Sequence, residues 1–269
     1  MKTRKVGTLA IVCRDCLAKE EWTENDLGSF LVKITLFIPC FIDQYYPGAG
    51  IGMVKILEKL GHTVEYPESQ TCCGQPAFNS GYWDEARSVA ETMLDAFRDA
   101  EVVVGCSGSC GAMLKVFYPE LFHGQPREAE AKALAAKTHE LSSFLVNVLG
   151  VGDLGASFAA KATFHDGCHG LRELGIKREP RELLRHVRGL ELVEMREAET
   201  CCGFGGTFSV KFPEISTAMG EGKCASILET GAELVISNDS SCLMQIQGLA
   251  DRQGHKIKSM HLAEVLAHF

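Results

Sequence analysis

Residues 64–74 read VEYPESQTCCG, and residues 193–203 read VEMREAETCCG. Seven of the eleven positions are identical at an offset of 129: Val64/Val193, Glu65/Glu194, Glu68/Glu197, Thr71/Thr200, Cys72/Cys201, Cys73/Cys202 and Gly74/Gly203. The flanks repeat the plan. Cys40 precedes the first CCG by 31 intervening residues and Cys168 precedes the second by 32, while Cys110 follows by 36 and Cys242 by 39. The approaches EVVVGCSGSC (101–110) and ELVISNDSSC (233–242) match, as do the tails ELSSFL (140–145) and HLAEVL (261–266). Four cysteines in the same order twice mark a duplication, the first thing to seek in any chain. The repeat places one unit at 32–149 and a second at 150–269.

Around each cysteine the pattern alternates strand and helix. The run 33–38 is apolar and short and ends at Pro39-Cys40, as a buried strand would. Met53, Ile56, Leu57 and Leu60 recur at helical spacing, with Gly61 placed to end that helix. Residues 63–66 suit a strand, 84–98 a helix and 102–104 a strand. The second unit repeats this with strands at 161–165, 190–195 and 233–237 and helices at 180–188 and 214–230. A helical connection is expected over 126–149. Such βαβ alternation with continuous apolar strands predicts an α/β protein of two similar lobes, built on parallel sheets and related by approximate two-fold symmetry. Each cysteine group follows a strand, and loops at the carboxyl ends of strands converge on the ligand crevice of an open α/β sheet. Cys40, Cys72, Cys73 and Cys110 are therefore expected to gather in one lobe, and Cys168, Cys201, Cys202 and Cys242 in the other. Four thiols per copy is the ligand count of a cubane iron–sulfur cluster or a tetrahedral zinc site. Buried inert cysteine is the plainer alternative, and matched vicinal pairs argue against it.

Composition narrows the rest. The chain has 269 residues, 46% hydrophobic and 23% charged, which is ordinary globular usage. A net charge of −8 without a basic block disfavours nucleic acid as a partner. No stretch approaches the roughly 18 apolar residues of a membrane span, and no secretory cleavage pattern follows the basic start. A cytoplasmic location is expected, where the 12 cysteines are reduced and clustered thiols read as metal ligands rather than disulfides.

The pattern resembles the cysteine-rich CCG-domain family, which includes the B subunit of heterodisulfide reductase and the iron–sulfur subunit of glycolate oxidase. TCCGQPAFNSGY (71–82), TCCGFGGTFSVK (200–211), SGSC (107–110) and MHLAEVL (260–266) carry the resemblance, which runs from Val32 to the C-terminus. It implies [4Fe–4S]-type iron–sulfur clusters, one or two per chain, with zinc in one site as the alternative. The finer text is closest to members of the family that serve L-lactate oxidation to pyruvate. It implies an electron-transfer subunit working with an iron–sulfur ferredoxin-type protein and a third subunit, rather than a complete dehydrogenase. Two rival readings are a zinc-stabilised assembly subunit without redox role and a thiol–disulfide reductase acting through the vicinal cysteines. One departure stands out. The family's last pair is Cys-x-x-Cys, and its first position is Ser107 in one copy and Asp239 in the other, with Cys106 adjacent but out of register. Either residue supplies an oxygen ligand, or the position is vacant.

Other signals read as secondary. His165 and His169 flank Cys168 and are read as polar loop residues. Gly74 and Gly203 suit a tight backbone approach. Gly150, Gly152 and Gly155 spell G-x-G-x-x-G, but after a helical run instead of a strand, so a linker is expected there and not a nucleotide site. Residues 1–31, with Cys13-x-x-Cys16, are expected to be an extension or a product of start-codon choice.

Overall fold

The computed structural model describes residues 32–269. The reading of 1–31, including Cys13 and Cys16, lies outside the described residues. Among the described residues, eight strands form two four-stranded parallel sheets. The first contains β1 (Lys33–Phe37), β2 (Thr63–Glu65), β3 (Val102–Gly105) and β4 (Thr138–Glu140) in the order β2-β1-β3-β4. The second contains β5 (Ser157–Phe164), β6 (Arg188–Leu192), β7 (Leu234–Ser237) and β8 (Lys258–His261) in the order β6-β5-β7-β8. The two orders are the same, as the duplication requires, and every pairing is parallel.

Both faces of the central strands are covered, which is why they read as unbroken apolar runs. Ile34, Leu36, Val102 and Val104 of the first sheet share one core with Ala162, Phe164, Leu234 and Ile236 of the second. The alternate residues Phe37 and Val103 face a core private to the first lobe, and Val235 faces one private to the second. The lobes are thus joined by a continuous apolar layer. Helix packing repeats the symmetry. The helix Pro47–Lys59 of the first lobe lies against Leu262–Leu266 of the second, so closely that a Cβ on Gly52 would stand 2.6 Å from the Ala263 carbonyl oxygen. Its counterpart Arg178–Arg185 lies against the segment after β4, where Asn147 Nδ2 donates to Glu179 Oε1 at 2.8 Å.

Two elements differ from expectation. The predicted helical connection over 126–149 is interrupted. A helix Glu128–Lys137 gives way to β4, which pairs with β3 before helical turns resume at Leu141. Its counterpart β8 likewise completes the second sheet. Each is followed by a capped turn: the Glu140 carboxylate accepts from the Ser143 amide at 3.1 Å, and His261 Nδ1 accepts from the Ala263 amide at 3.1 Å.

Candidate metal centre

Cys40 opens the short helix after β1, Cys72 and Cys73 lie in the loop after β2, and Cys110 sits in the first turns of the helix after β3. The second lobe repeats this with Cys168 after β5, Cys201 and Cys202 after β6, and Cys242 after β7. These are the carboxyl ends of adjacent strands, where the order 2-1-3 reverses direction. Both carboxyl edges face the junction between the lobes. All eight cysteines line one cavity of about 90 Å³. That convergence goes beyond the sequence expectation of two separate edges, because it is created by the docking of the lobes.

Within each quartet the sulfurs form a contiguous chain. Cys72 is influenced most by its neighbours Cys40 and Cys73, and Cys73 by Cys110 and Cys72. Cys201 stands in the same relation to Cys168 and Cys202, and Cys202 to Cys242. The amide of Gly74 also points at Cys72 Sγ at 3.4 Å, and that of Gly203 at Cys201 Sγ at 3.4 Å. These donors hold Cys72 and Cys201 far below an ordinary thiol, while the same hydrogen bonds and burial raise Cys73 and Cys202. Cys72 and Cys201 are thus the thiols of each quartet most disposed to lose a proton, and a bound metal would displace the others.

The glycines are conformational requirements. Gly74 has φ +82° and Gly203 has φ +89°, both left-handed. A Cβ at Gly74 would lie 3.2 Å from the Ala86 carbonyl oxygen, and one at Gly203 only 2.5 Å from that of Ser216. The loop therefore turns back tightly over the following helix, aiming its amide at sulfur.

Ser107 and Asp239 have another task. Ser107 Oγ caps its helix by accepting from the Cys110 amide at 3.3 Å. Asp239 Oδ1 caps the equivalent helix through the Ser241 amide at 3.3 Å and also accepts from Ser241 Oγ at 2.6 Å. Its Oδ2 crosses the junction to accept from the Ser109 amide at 2.7 Å. Nearby, the Gly108 amide donates to the Asn238 carbonyl at 3.1 Å and Asn238 Nδ2 to Glu140 Oε1 at 3.2 Å. The positions that break the family's Cys-x-x-Cys pattern thus hold the loops and the junction together.

Cys106 and Cys224 are buried in the shared core and the second lobe's core respectively. His169 lines the cavity with its ring edge-on to Phe117. His165 lies in the loop just after β5, as expected, but it is 0% exposed there and not at the surface. Neither of its ring nitrogens has a hydrogen-bond partner. One of them and the sulfurs of Cys202 and Cys242 lie within 4.8 Å of one another. Lys223, which the sequence reading left out, is 1% exposed and donates to the carbonyl of Ala198, a residue of the core cluster that holds Cys202 and Cys242.

The donor set fits a thiolate-bound metal or iron–sulfur group: four soft sulfurs per lobe lining one cavity, with a backbone amide directed at one of them. Among the described residues no helix is long and apolar enough to cross a membrane.

Comparison with known proteins agrees with this construction. The family model for the cysteine-rich CCG domain matches twice, over residues 34–115 and 162–247. Lactate utilization protein A of Geobacillus kaustophilus (strain HTA426) is 53% identical over 236 residues, covering 87% of this chain and 98% of that protein. Its namesake from Bacillus subtilis (strain 168) is 48% identical over 236 residues, covering 87% and 99%. Among solved structures, a hypothetical protein from Helicobacter pylori shares the fold with a TM-score of 0.56 at 12% identity, covering 87% of this chain and 48% of that one. With two cysteine-rich CCG domains and these full-length relatives, the chain belongs to the lactate utilization protein A family.

Proposed function

We propose that this protein is an iron–sulfur electron-transfer component of a multi-protein system oxidising L-lactate to pyruvate. The observation that carries the reading is the convergence of two matched four-cysteine sets on one cavity. Cys40, Cys72, Cys73 and Cys110 would hold one cluster, and Cys168, Cys201, Cys202 and Cys242 the other. Lactate enters through the name of the relatives. A bound iron–sulfur cluster supplies one-electron redox chemistry.

The chain's own residues supply the rest. The thiols give up their protons to become ligands, beginning with Cys72 and Cys201. The Gly74 and Gly203 amides donate to those sulfurs, which favours the more negative, reduced state. Phe41 and Phe204 meet edge-to-face at the cavity wall, with ring centroids 5.5 Å apart, and add apolar surface there. The two-electron step on a hydroxy acid usually calls for a flavin or nicotinamide, so it falls to partner subunits: an iron–sulfur ferredoxin-type protein and a third component, in the cytoplasm.

The test is iron, acid-labile sulfide and zinc per chain on anaerobically purified protein, with electron paramagnetic resonance (EPR) spectra before and after dithionite. Iron and sulfide in equal amounts, with a dithionite-dependent signal, are expected. Zinc without iron or sulfide would overturn the reading in favour of a zinc-stabilised assembly subunit. Metal-free protein that reduces disulfides would favour the thiol–disulfide alternative.

A further inference from the structure

The central strands of the two lobes match in register, and this exposes a difference beside the sulfurs. In the sheets, β1 pairs Thr35 with Val103 and β5 pairs Thr163 with Val235. KITLFIPC (33–40) therefore matches KATFHDGC (161–168) without a gap, and His165 occupies the place of Phe37. The helices after the CCG loops are fixed by the glycines. Gly74 is covered by Ala86 and Val89, and Gly203 by Ser216 and Met219. That offset of 130 puts Lys223 in the place of Met93. Phe37 and Met93 are 0% exposed; His165 is 0% and Lys223 1%. Two apolar residues behind the first quartet are replaced by two nitrogen bases behind the second.

Their surroundings define what they carry. Lys223 Nζ donates to the Glu197 carbonyl and to the Ala198 carbonyl at 3.3 Å, with Met195 Sδ at 4.0 Å. Burial pushes the Lys223 amine down, while its surroundings offer acceptors and no donor, the set that a protonated amine satisfies. The nearby Asp166 carboxylate does not cancel this charge, because Arg181 already engages it through two bonds of 2.8 and 2.9 Å. The His165 ring stands against Cys202 and Cys242 with an N–H that no protein acceptor uses. In the first lobe, Met93 offers only a thioether, which accepts from the Thr71 amide at 3.2 Å, and Phe37 packs edge-on against Phe97.

Resting on the iron–sulfur reading above, we propose that Lys223 and His165 raise the reduction potential of the second-lobe site above that of the first, so that a single electron shared between the lobes resides in the second. Adding one electron makes a thiolate-bound site more negative. A buried cation and an N–H donor beside the sulfurs stabilise that state, and such interactions are weakly screened away from water. In the transfer between lobes, one electron leaves the first site, which is oxidised, and enters the second, which is reduced. The electron comes first from an external one-electron donor, dithionite in the experiment below.

The experiment is an EPR-monitored redox titration of the full chain, with iron content measured on each sample. Wild-type protein is expected to reduce in two steps. K223M gives the second lobe the first lobe's own side chain. It should lower the upper step by at least tenfold in the one-electron equilibrium, or about 59 mV, and leave the lower step in place. H165F should shift the same step in the same direction by less. M93K should raise the lower step, and it decides the matter if K223M fails to load iron. Iron-loaded variants with both steps unchanged, or a K223M shift confined to the lower step, would overturn this inference alone. Zinc without iron in the wild type would overturn it together with the reading on which it rests.

Discussion

The two lobes share strand order, cysteine spacing and even the amide that points at the second cysteine of each quartet, yet they differ at the residues that surround the sulfurs. The first lobe backs its quartet with Phe37, Met93 and Ile38; the second uses His165, Lys223 and Asp166 at the matching positions. Burying charge is costly unless it is paired and hydrogen-bonded. The second lobe meets that requirement with Arg181 on Asp166 and backbone carbonyls on Lys223. Duplication supplied two equal frames, and the differences lie where they alter the electrostatics of the sites rather than the fold.

Two pairs of matched positions, and the buried histidines beyond them, sharpen this comparison. The largest effect is expected at the helix caps that replace the family's cysteine. Asp239→Ala removes an acceptor from three donors, two of them backbone amides and one across the junction. With donors left unsatisfied at about 1–3 kcal/mol each, a loss of about 2–4 kcal/mol is expected in chemical denaturation. Ser107→Ala removes a single cap and should cost about 1 kcal/mol. Equal losses would mean that Asp239 does not tie the lobes together.

Next come the CCG glycines. Gly74→Ala should cost about 1–2 kcal/mol for a left-handed residue with a Cβ. Gly203→Ala should cost more, because its Cβ meets the Ser216 carbonyl at 2.5 Å. Denaturation midpoints of the two variants check the order, and the reverse order would show that the lobes' loops are not built as described.

The smallest effect concerns pH. His139 is held down to about 4 by burial first and the Lys115 charge second, and His261 to about 4 by burial. Both stay neutral in the folded protein, whereas the unfolded chain takes up protons near pH 6.5. Their contribution is therefore present above pH 6.5 and is lost as pH falls from there toward 4. Glu140, raised by burial, works in the opposite direction by gaining a proton on folding. His139→Phe, placed against Phe144, should flatten the decline in stability over that window. An unchanged slope would remove His139 as a contributor.

Much of this was legible in the repeat. Periodicity and the strand–helix alternation gave the parallel sheets, because central strands buried on both faces are continuous apolar runs. The fourth strands were hidden for a physical reason: Thr138–Glu140 is three residues long and sits between helical stretches, so its pairing with β3 comes from tertiary packing rather than local pattern. The single cavity was also out of reach, since it depends on how the lobes dock. The burial of His165 was missed because a polar loop residue is expected at the surface. The signal that would have placed it was present in the sequence: set against the first copy, His165 falls on Phe37 and Lys223 on Met93, both in apolar register.

The central claim is one metal-sulfur site per lobe, each held by its own four cysteines. Iron and acid-labile sulfide per chain, measured side by side on anaerobic wild-type protein, C72S/C73S and C201S/C202S, test it most directly. The account predicts that each double variant keeps about half the wild-type iron and sulfide and loses one of two EPR signals. Complete loss in either variant would contradict it and point to one site built from both quartets, as would retention of the full complement in both.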